Sequence, residues 1–411
     1  MLPGVRIVAD PALTLRIAGF VLGGVALGTV SGLTPGLHAN NFALLLASVA
    51  PAVPGPPTLV GAAMLAAGVV HTFLDIVPAL ALGVPDAAMA VTALPGHRLV
   101  IGGRGREALR LSALGSGLAV LFAAPLAVPV TAAMVRLYPM IRPRMGIVLS
   151  AVAVYLVATE GSRRARVGAA ATFLLSATLG FLTLDLDPAA PLSAGGMLAP
   201  LFAGLFGAPV LIDAMDGEGV PPQADPGVAM ERRGVALIAL AGALAGAAVG
   251  YLPGVSSAIA AVIVLAALPA RTGDRGFVVA TSGVNTANLI FALFALVALG
   301  TPRTGVLVAV NRAEVPLNLP LFLAVVVCAG AVGFVLVTVV GDRYLRVVGR
   351  ADYTRLSITV LGGLLAVSYL FGGVPGVAAF VAASAIGLLP PRVRARRVHC
   401  MGVLMGPLMI G

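Results

Sequence analysis

The stretch SGLTPGLHANN (residues 31–41) lies between two apolar runs, AGFVLGGVALGTV (18–30) and FALLLASVA (42–50). Pro35 has no N–H to continue a helix, and Gly36 tolerates conformations that side chains forbid, so a helix entering this stretch breaks in it. His38, Asn40 and Asn41 stand at the break. In lipid, backbone N–H and C=O groups freed by a break must find partners, or each costs several kcal/mol. The break therefore predicts a polar shell, supplied by the protein or by a ligand.

The rest of the chain sets this stretch in a membrane. Of 411 residues, 59% are hydrophobic and 10% charged, with a mean hydropathy of +1.06. Soluble domains carry about 25% charged residues. Apolar segments at 59–83, 144–159, 167–184, 234–252, 317–341 and 356–371 approach or exceed the roughly 17–25 residues that cross a bilayer. The expected fold is an all-α polytopic membrane protein of about 10–12 transmembrane helices or half-helices, multi-pass in the cell membrane and in contact with its lipids. The start lacks the basic, apolar and small-residue order of a cleavable signal, so none is expected. Net charge is +10 and every basic residue is Arg, gathered in loops at 98–110, 163–166, 343–350 and 392–397. That is a positive-inside pattern, with the C-terminal RVRARR expected in the cytoplasm, and it excludes a nucleic-acid partner. Cys328 and Cys400 are far apart and suggest neither a disulfide framework nor a metal site.

The opening motif has a partner. GTVSGLTPGLHAN (28–40) is matched by GYLPGVSSAIA (250–260), with Pro35 and Pro253 218 residues apart. LALGVPDAAMAV (80–91) is matched by VALGTPRTGVLV (297–308), with Pro85 and Pro302 217 apart. Two matches at nearly one offset indicate an internal duplication, and broken helices at corresponding places are the mark of a transporter binding site. The expected layout is a first transmembrane repeat at 1–212 and a polar acidic linker, DAMDGEGVPPQADPGVAMERR, at 213–233. A second repeat follows at 234–397, then an interfacial tail at 398–411. The repeats are expected to be pseudo-symmetric, and inverted if an odd number of crossings separates them. A hairpin broken by Pro125 and Pro129 is one way to settle that number.

In these motifs the chain resembles the TctA family, the large membrane subunit of tripartite tricarboxylate transporters. The likeness rests on Gly32-Leu33-Thr34-Pro35-Gly36 and Gly83-Val84-Pro85 with the basic loop 104–110 in the first half. In the second half it rests on Gly250-Tyr251-Leu252-Pro253-Gly254 and Gly300-Thr301-Pro302. The layout is most like a compact archaeal-type branch. Where the family often has Pro-Glu-Ala-Ala-Asn-Asn, this chain reads ATSGVNTANL (280–289), without the Glu but with Asn285 and Asn288. The resemblance implies a permease with two partners, a small membrane subunit and a substrate-binding protein.

The candidate site follows from the breaks. Half-helix N-termini favour an anion, and unwound carbonyls favour Na⁺. The expected substrate-binding residues are Pro35, Gly36, His38, Asn40 and Asn41 at the first break, and Pro253, Gly254, Ser256 and Ser257 at the second. Asn285, Asn288 and Arg303 complete the set. Packing alone also places Pro-Gly kinks in membrane helices. His38 is a ligand contact, a proton-coupling group or a cap facing water. His71 and Asp75, four apart on one helix face, are an ion-coupling pair or a bridge between helices. Asp86 is a further ion-coupling candidate, pairing with Arg303 across the repeats or lying in a loop. Arg312 and Glu314 read as a solvated turn.

No nucleophile motif or phosphate loop occurs, so an enzyme is not expected, and no cofactor beyond Na⁺ or H⁺ as coupling ion. The reading is a secondary transporter of a small organic anion, a carboxylate, driven by a Na⁺ or H⁺ gradient through alternating access. The alternative is a polyprenyl-phosphate carrier. A membrane-embedded enzyme would need His38, His71 and Asp75 to meet as a triad.

Overall fold

The computed structural model describes residues 10–35, 37, 39–82, 93–192, 196–215, 220–225, 227–252, 257–267, 273–350 and 352–410. The first half contains α1 (Pro11–Leu33), α2 (Ala39–Val49), α3 (Pro57–Leu74), α4 (Ile76–Leu82), α5 (Ala93–Ile101) and α6 (Gly105–Ile141). It continues through α7 (Met145–Ala158), α8 (Arg163–Thr183), α9 (Leu198–Phe202) and α10 (Ala208–Ala214). The second half contains α11 (Arg232–Tyr251), α12 (Ser257–Ala267), α13 (Gly273–Leu299), α14 (Gly305–Arg312) and α15 (Leu319–Val348). It ends with α16 (Tyr353–Gly387), α17 (Leu389–Arg392) and α18 (Gly402–Ile410). Among the described residues there is no strand, and eight helices are long and apolar enough to cross a membrane. The protein is an all-α, multi-pass membrane protein.

Small residues decide which helices touch. A methyl group at Gly24 or Gly28 would overlap the carbonyl of Ala63 or Ala67, and one at Gly32 would press on Leu74 and His71. Contact thus advances together along α1 and α3, so the two run parallel. The same holds in the second half. Gly242 lies against Ala280, Gly246 against Ala287 and Asn288, and Gly250 against Phe291 and Ala292, so α11 and α13 are parallel. Each glycine of the first set lies 218 residues before its counterpart in the second. The short helices fold back. α2 stacks Phe42 on His71 near its start and brings Ala50, just beyond its end, to Val60. α12 returns along Val249 and Val284 through Ala260 and Ala261.

The two three-helix units point in opposite directions. α3 starts beside Val315, which meets Gly61 just before α15. The far end of α15 is pinned to the start of α6 by Arg106 Nε on Asp342, at 2.6 Å. There Glu107 also accepts from Arg275 at the start of α13, at 2.8 Å. The starts of α3 and α13 therefore lie at opposite ends of the bundle. These two helices form its centre: 94% of the apolar window of 57–82 is buried and 78% of that of 273–299, against 17% for α1.

Three further expectations meet the structure here. Pro125 and Pro129 do not make a hairpin; α6 is one 37-residue helix that carries both, with Pro139 near its end. A proline costs a single hydrogen bond, and packed neighbours tolerate that in a membrane helix. Described residues of the polar linker are docked on the first half. Gln223 donates to the Val100 carbonyl at 3.0 Å and accepts from Gly105 N–H at 2.6 Å, and Ala224 N–H bonds the Gly103 carbonyl at 2.9 Å. The C-terminal segment, expected along the membrane interface, buries Val398, His399, Cys400, Met401, Val403 and Met405. Gly402 sits against Phe173 and Ser176 of α8.

Candidate functional site

The end of α1 comes to lie beside the junction of α3 and α4, within the most buried span. α1 ends at Leu33, where Gly32 presses on the turn of α3 that carries His71 and Asp75. α3 itself stops at Leu74, because Pro78 in α4 has no N–H for the Leu74 carbonyl. His71 is 1% exposed and Asp75 4%. Burying both groups is tolerable only when they are hydrogen-bonded, and each is. His71 Nδ1 lies 2.9 Å from Ser31 Oγ of α1. Phe42 of α2 stacks on the imidazole at 5.8 Å. Asp75 Oδ2 accepts from Asn285 Nδ2 of α13 at 2.7 Å. Thr72 and Thr286 face each other at 3.5 Å. The i, i+4 pair therefore bridges helices: one member holds the first hairpin, the other holds the opposite unit.

A second polar group surrounds the start of α14. Gly300, at φ +64°, ends the run after α13, and Thr301-Pro302-Arg303-Thr304 leads into α14. Val306 packs on Gly68 and Val315 on Gly61, so α14 runs antiparallel to α3, starting near the level of His71 as α2 does. Arg303 is oriented by Tyr138 of α6, whose hydroxyl accepts from the guanidinium; the guanidinium carbon lies 5.2 Å from the ring centre. Three polar atoms here are buried with no hydrogen-bond partner among the described residues, Thr301 Oγ1, Arg303 Nε and Thr304 Oγ1, and Asn288 Oδ1 on α13 is a further one. Native interiors rarely leave such atoms unmatched, which makes these four candidate ligand contacts.

The remaining expected residues divide into two sets. Pro35 is half-buried at the break, and Ser257 is buried at the start of α12. Gly36, His38, Asp86, Pro253, Gly254 and Ser256 lie outside the described residues, as do the side chains of Asn40 and Asn41 in the first turn of α2. The Arg303–Asp86 pair and the His38–His71–Asp75 triad thus also fall outside them. Arg312, the last residue of α14, and Glu314, in the turn after it, are exposed. Ser31, Thr72, Tyr138, Thr286, Thr301 and Thr304 were not singled out from sequence. Ser31, Thr301 and Thr304 lie inside or beside the two repeated motifs, which was the available signal. Among the described residues no cluster of three or more His, Cys, Asp or Glu is placed to hold a metal.

The chain is 26% identical over 404 residues to an uncharacterized protein of Methanocaldococcus jannaschii, covering 95% of this chain and 98% of the relative. No solved structure matches it. The family described as "Tripartite tricarboxylate transporter TctA family" matches residues 19–402, nearly the whole chain. That is a family of transporters, not of enzymes, and the chain belongs to it.

Proposed function

We propose that this permease carries a small organic anion, a carboxylate, across the membrane by alternating access, driven by a Na⁺ or H⁺ gradient. The unmatched polar atoms of Asn288, Thr301, Arg303 and Thr304 carry the reading. A guanidinium with two hydroxyls at the N-terminal end of a short helix is the chemistry that holds a carboxylate. Tyr138 holds that guanidinium in place, which lowers the entropy lost on binding. The two units are an inverted repeat in this reading, which their opposed directions and the shared 218-residue spacing of their glycines support. Each break then forms the tip of a hairpin entering from its own side, and exchange between the two arrangements opens the site alternately. Asp75 and His71 are the coupling groups, since they join the first hairpin to the opposite unit. The arginine-rich face that holds Arg98, Arg106, Arg275 and Arg346 is the cytoplasmic one by the positive-inside rule. A small membrane subunit and a substrate-binding protein, as the family's name implies, are its partners.

The test is uptake of labelled citrate and smaller dicarboxylates into proteoliposomes, under Na⁺ and pH gradients imposed separately, with and without the partner subunits. Arg303→Gln is expected to raise the KM roughly 10- to 100-fold, the worth of one charge-assisted hydrogen bond. Wild-type affinity in that variant would remove Arg303 from the site. Uptake of a polyprenyl phosphate, with no carboxylate moved by folded protein under any gradient, would replace the carboxylate reading.

A further inference from the structure

Between the start of α6 and the end of α15, on the arginine-rich face, lies a cavity of about 590 Å³. Its polar lining is Arg106, Arg110, Arg343 and Arg346 with Asp225 and Asp342. Asp342 accepts from Arg106 at 2.6 Å and from Arg346 at 2.7 Å, and Asp225 from Arg110 at 2.5 Å. Among the described lining residues, four guanidinium groups stand against two carboxylates, an excess of two positive charges. Arg343 is exposed and makes no hydrogen bond or ion pair among the described residues. Crowded cations repel one another, so the opening favours an anion.

The position of the cavity says which kind. Its remaining wall is Leu109, Thr338 and Val339. Val339 is 46% exposed and Val335, one turn deeper on α15, is 55% exposed. An apolar track thus leads from the arginines toward the lipid-facing length of the helix. A phosphate held by arginine forks above, with acyl chains along Val339 and Val335 below, uses both features. A cavity elsewhere in the molecule lacks this pattern: about 280 Å³ beside α2 and α3, it carries one Arg and one Glu, Arg312 and Glu314, whose charges cancel.

We propose that the α6–α15 cavity binds the phosphate headgroup of an anionic phospholipid, and most tightly a headgroup carrying two phosphates, which matches its surplus of two charges. This site is separate from the buried polar atoms around Asn288 and Arg303 and does not depend on the transported substrate. The headgroup would share its arginines with Asp225 of the linker, so its occupancy bears on how the two halves are joined.

The experiment is native mass spectrometry of the purified full chain, titrated with diphosphatidylglycerol, phosphatidylglycerol and phosphatidylcholine. Arg343→Gln breaks no described pair, so it leaves the fold intact, and Arg163→Gln outside the cavity is the control. The expected order of affinity is diphosphatidylglycerol, then phosphatidylglycerol, then phosphatidylcholine. One arginine near a membrane surface is worth about fivefold, so Arg343→Gln weakens diphosphatidylglycerol binding about fivefold and Arg343→Gln with Arg346→Gln about 25-fold. The control stays at wild-type affinity. Phosphatidylcholine bound as tightly as the anionic lipids, or an unchanged double variant, overturns the proposal. Displacement of the lipid by millimolar inorganic phosphate also overturns it, reducing the cavity to a free-anion site.

Discussion

The units α1–α3 and α11–α13 share a packing scheme and differ in chemistry. Both press a stripe of three glycines onto a parallel partner helix, and both return a short helix from a break. At the central turn, however, α3 carries His71 and Asp75, whereas α13 carries Asn285 and Asn288. One unit holds groups that can change charge; the other holds amides that cannot. A duplicated frame can keep its backbone contacts while its two copies divide the labour, because packing depends on the glycines and chemistry on a few neighbouring positions. Asp75 and Asn285 are where the copies meet, 210 residues apart in sequence and 2.7 Å apart in space.

The shared frame is broken most severely at its glycines. Gly28→Leu drives a side chain into the Ala67 backbone, and Gly246→Leu drives one into Ala287 and Asn288. Backbone cannot yield as a rotamer can, so each is expected to cost about 3 kcal/mol or more, at the upper end for overpacked sites. Thermal melting in detergent measures this. Comparable losses in both variants support equal packing roles, while a tolerated Gly246→Leu would show that only the first unit depends on close approach.

The difference between the units is sharpened at the pair that joins them. Asn285→Ala strips a buried carboxylate of an amide donor and is expected to cost about 1–3 kcal/mol. Asp75→Asn keeps a polar group of the same size and removes the charge. Its fold should survive, with substrate binding retained and uptake no longer responding to an imposed ion gradient. Gradient-driven uptake at the wild-type rate in Asp75→Asn would take the coupling role away from this residue.

Sequence alone reached the class, because that depends on composition, and the 218-residue spacing that the packed glycines also keep. It also found His71, Asp75 and Asn285, since polar groups in apolar runs stand out. It missed that Asp75 pairs with Asn285 and His71 with Ser31, because partner choice across helices depends on rotation about each axis. The glycines at 24, 28 and 32 and at 242, 246 and 250, among 51 in the chain, were readable as contact stripes between helices and were not read that way. The continuity of α6 was hidden by its prolines, whose local preference the surrounding helices override. The docking of the linker was invisible because a polar, proline-containing stretch looks alike whether bound or free.

The C-terminal segment offers a smaller test, away from both units. Glu160, between α7 and α8, accepts from Arg396 Nε at 2.8 Å and lies 2.7 Å from His399 Nε2. Burial alone would raise the Glu160 carboxyl, but the hydrogen bonds from Arg396 and His399 hold it below its ordinary value. Burial lowers His399 against the pull of Glu160, and the nearby Arg396 charge adds a smaller push in the same direction. With the imidazole neutral, Nε2–H is the donor to Glu160. A group whose folded pKa lies below its unfolded one stabilises the fold above the unfolded value and loses that stability as pH falls. Both groups have this sign. Melting temperature should fall as pH drops from about 7 toward 5 through His399, and further below that through Glu160. His399→Gln keeps an N–H donor for Glu160 without the imidazole. It should flatten the first part of the decline and leave the second. A wild-type melting temperature that holds or rises between neutral pH and the ordinary imidazole range would mean that His399 is protonated in the fold. The segment would then be fastened by a full ion pair with Glu160, and the sign of its pH dependence would reverse.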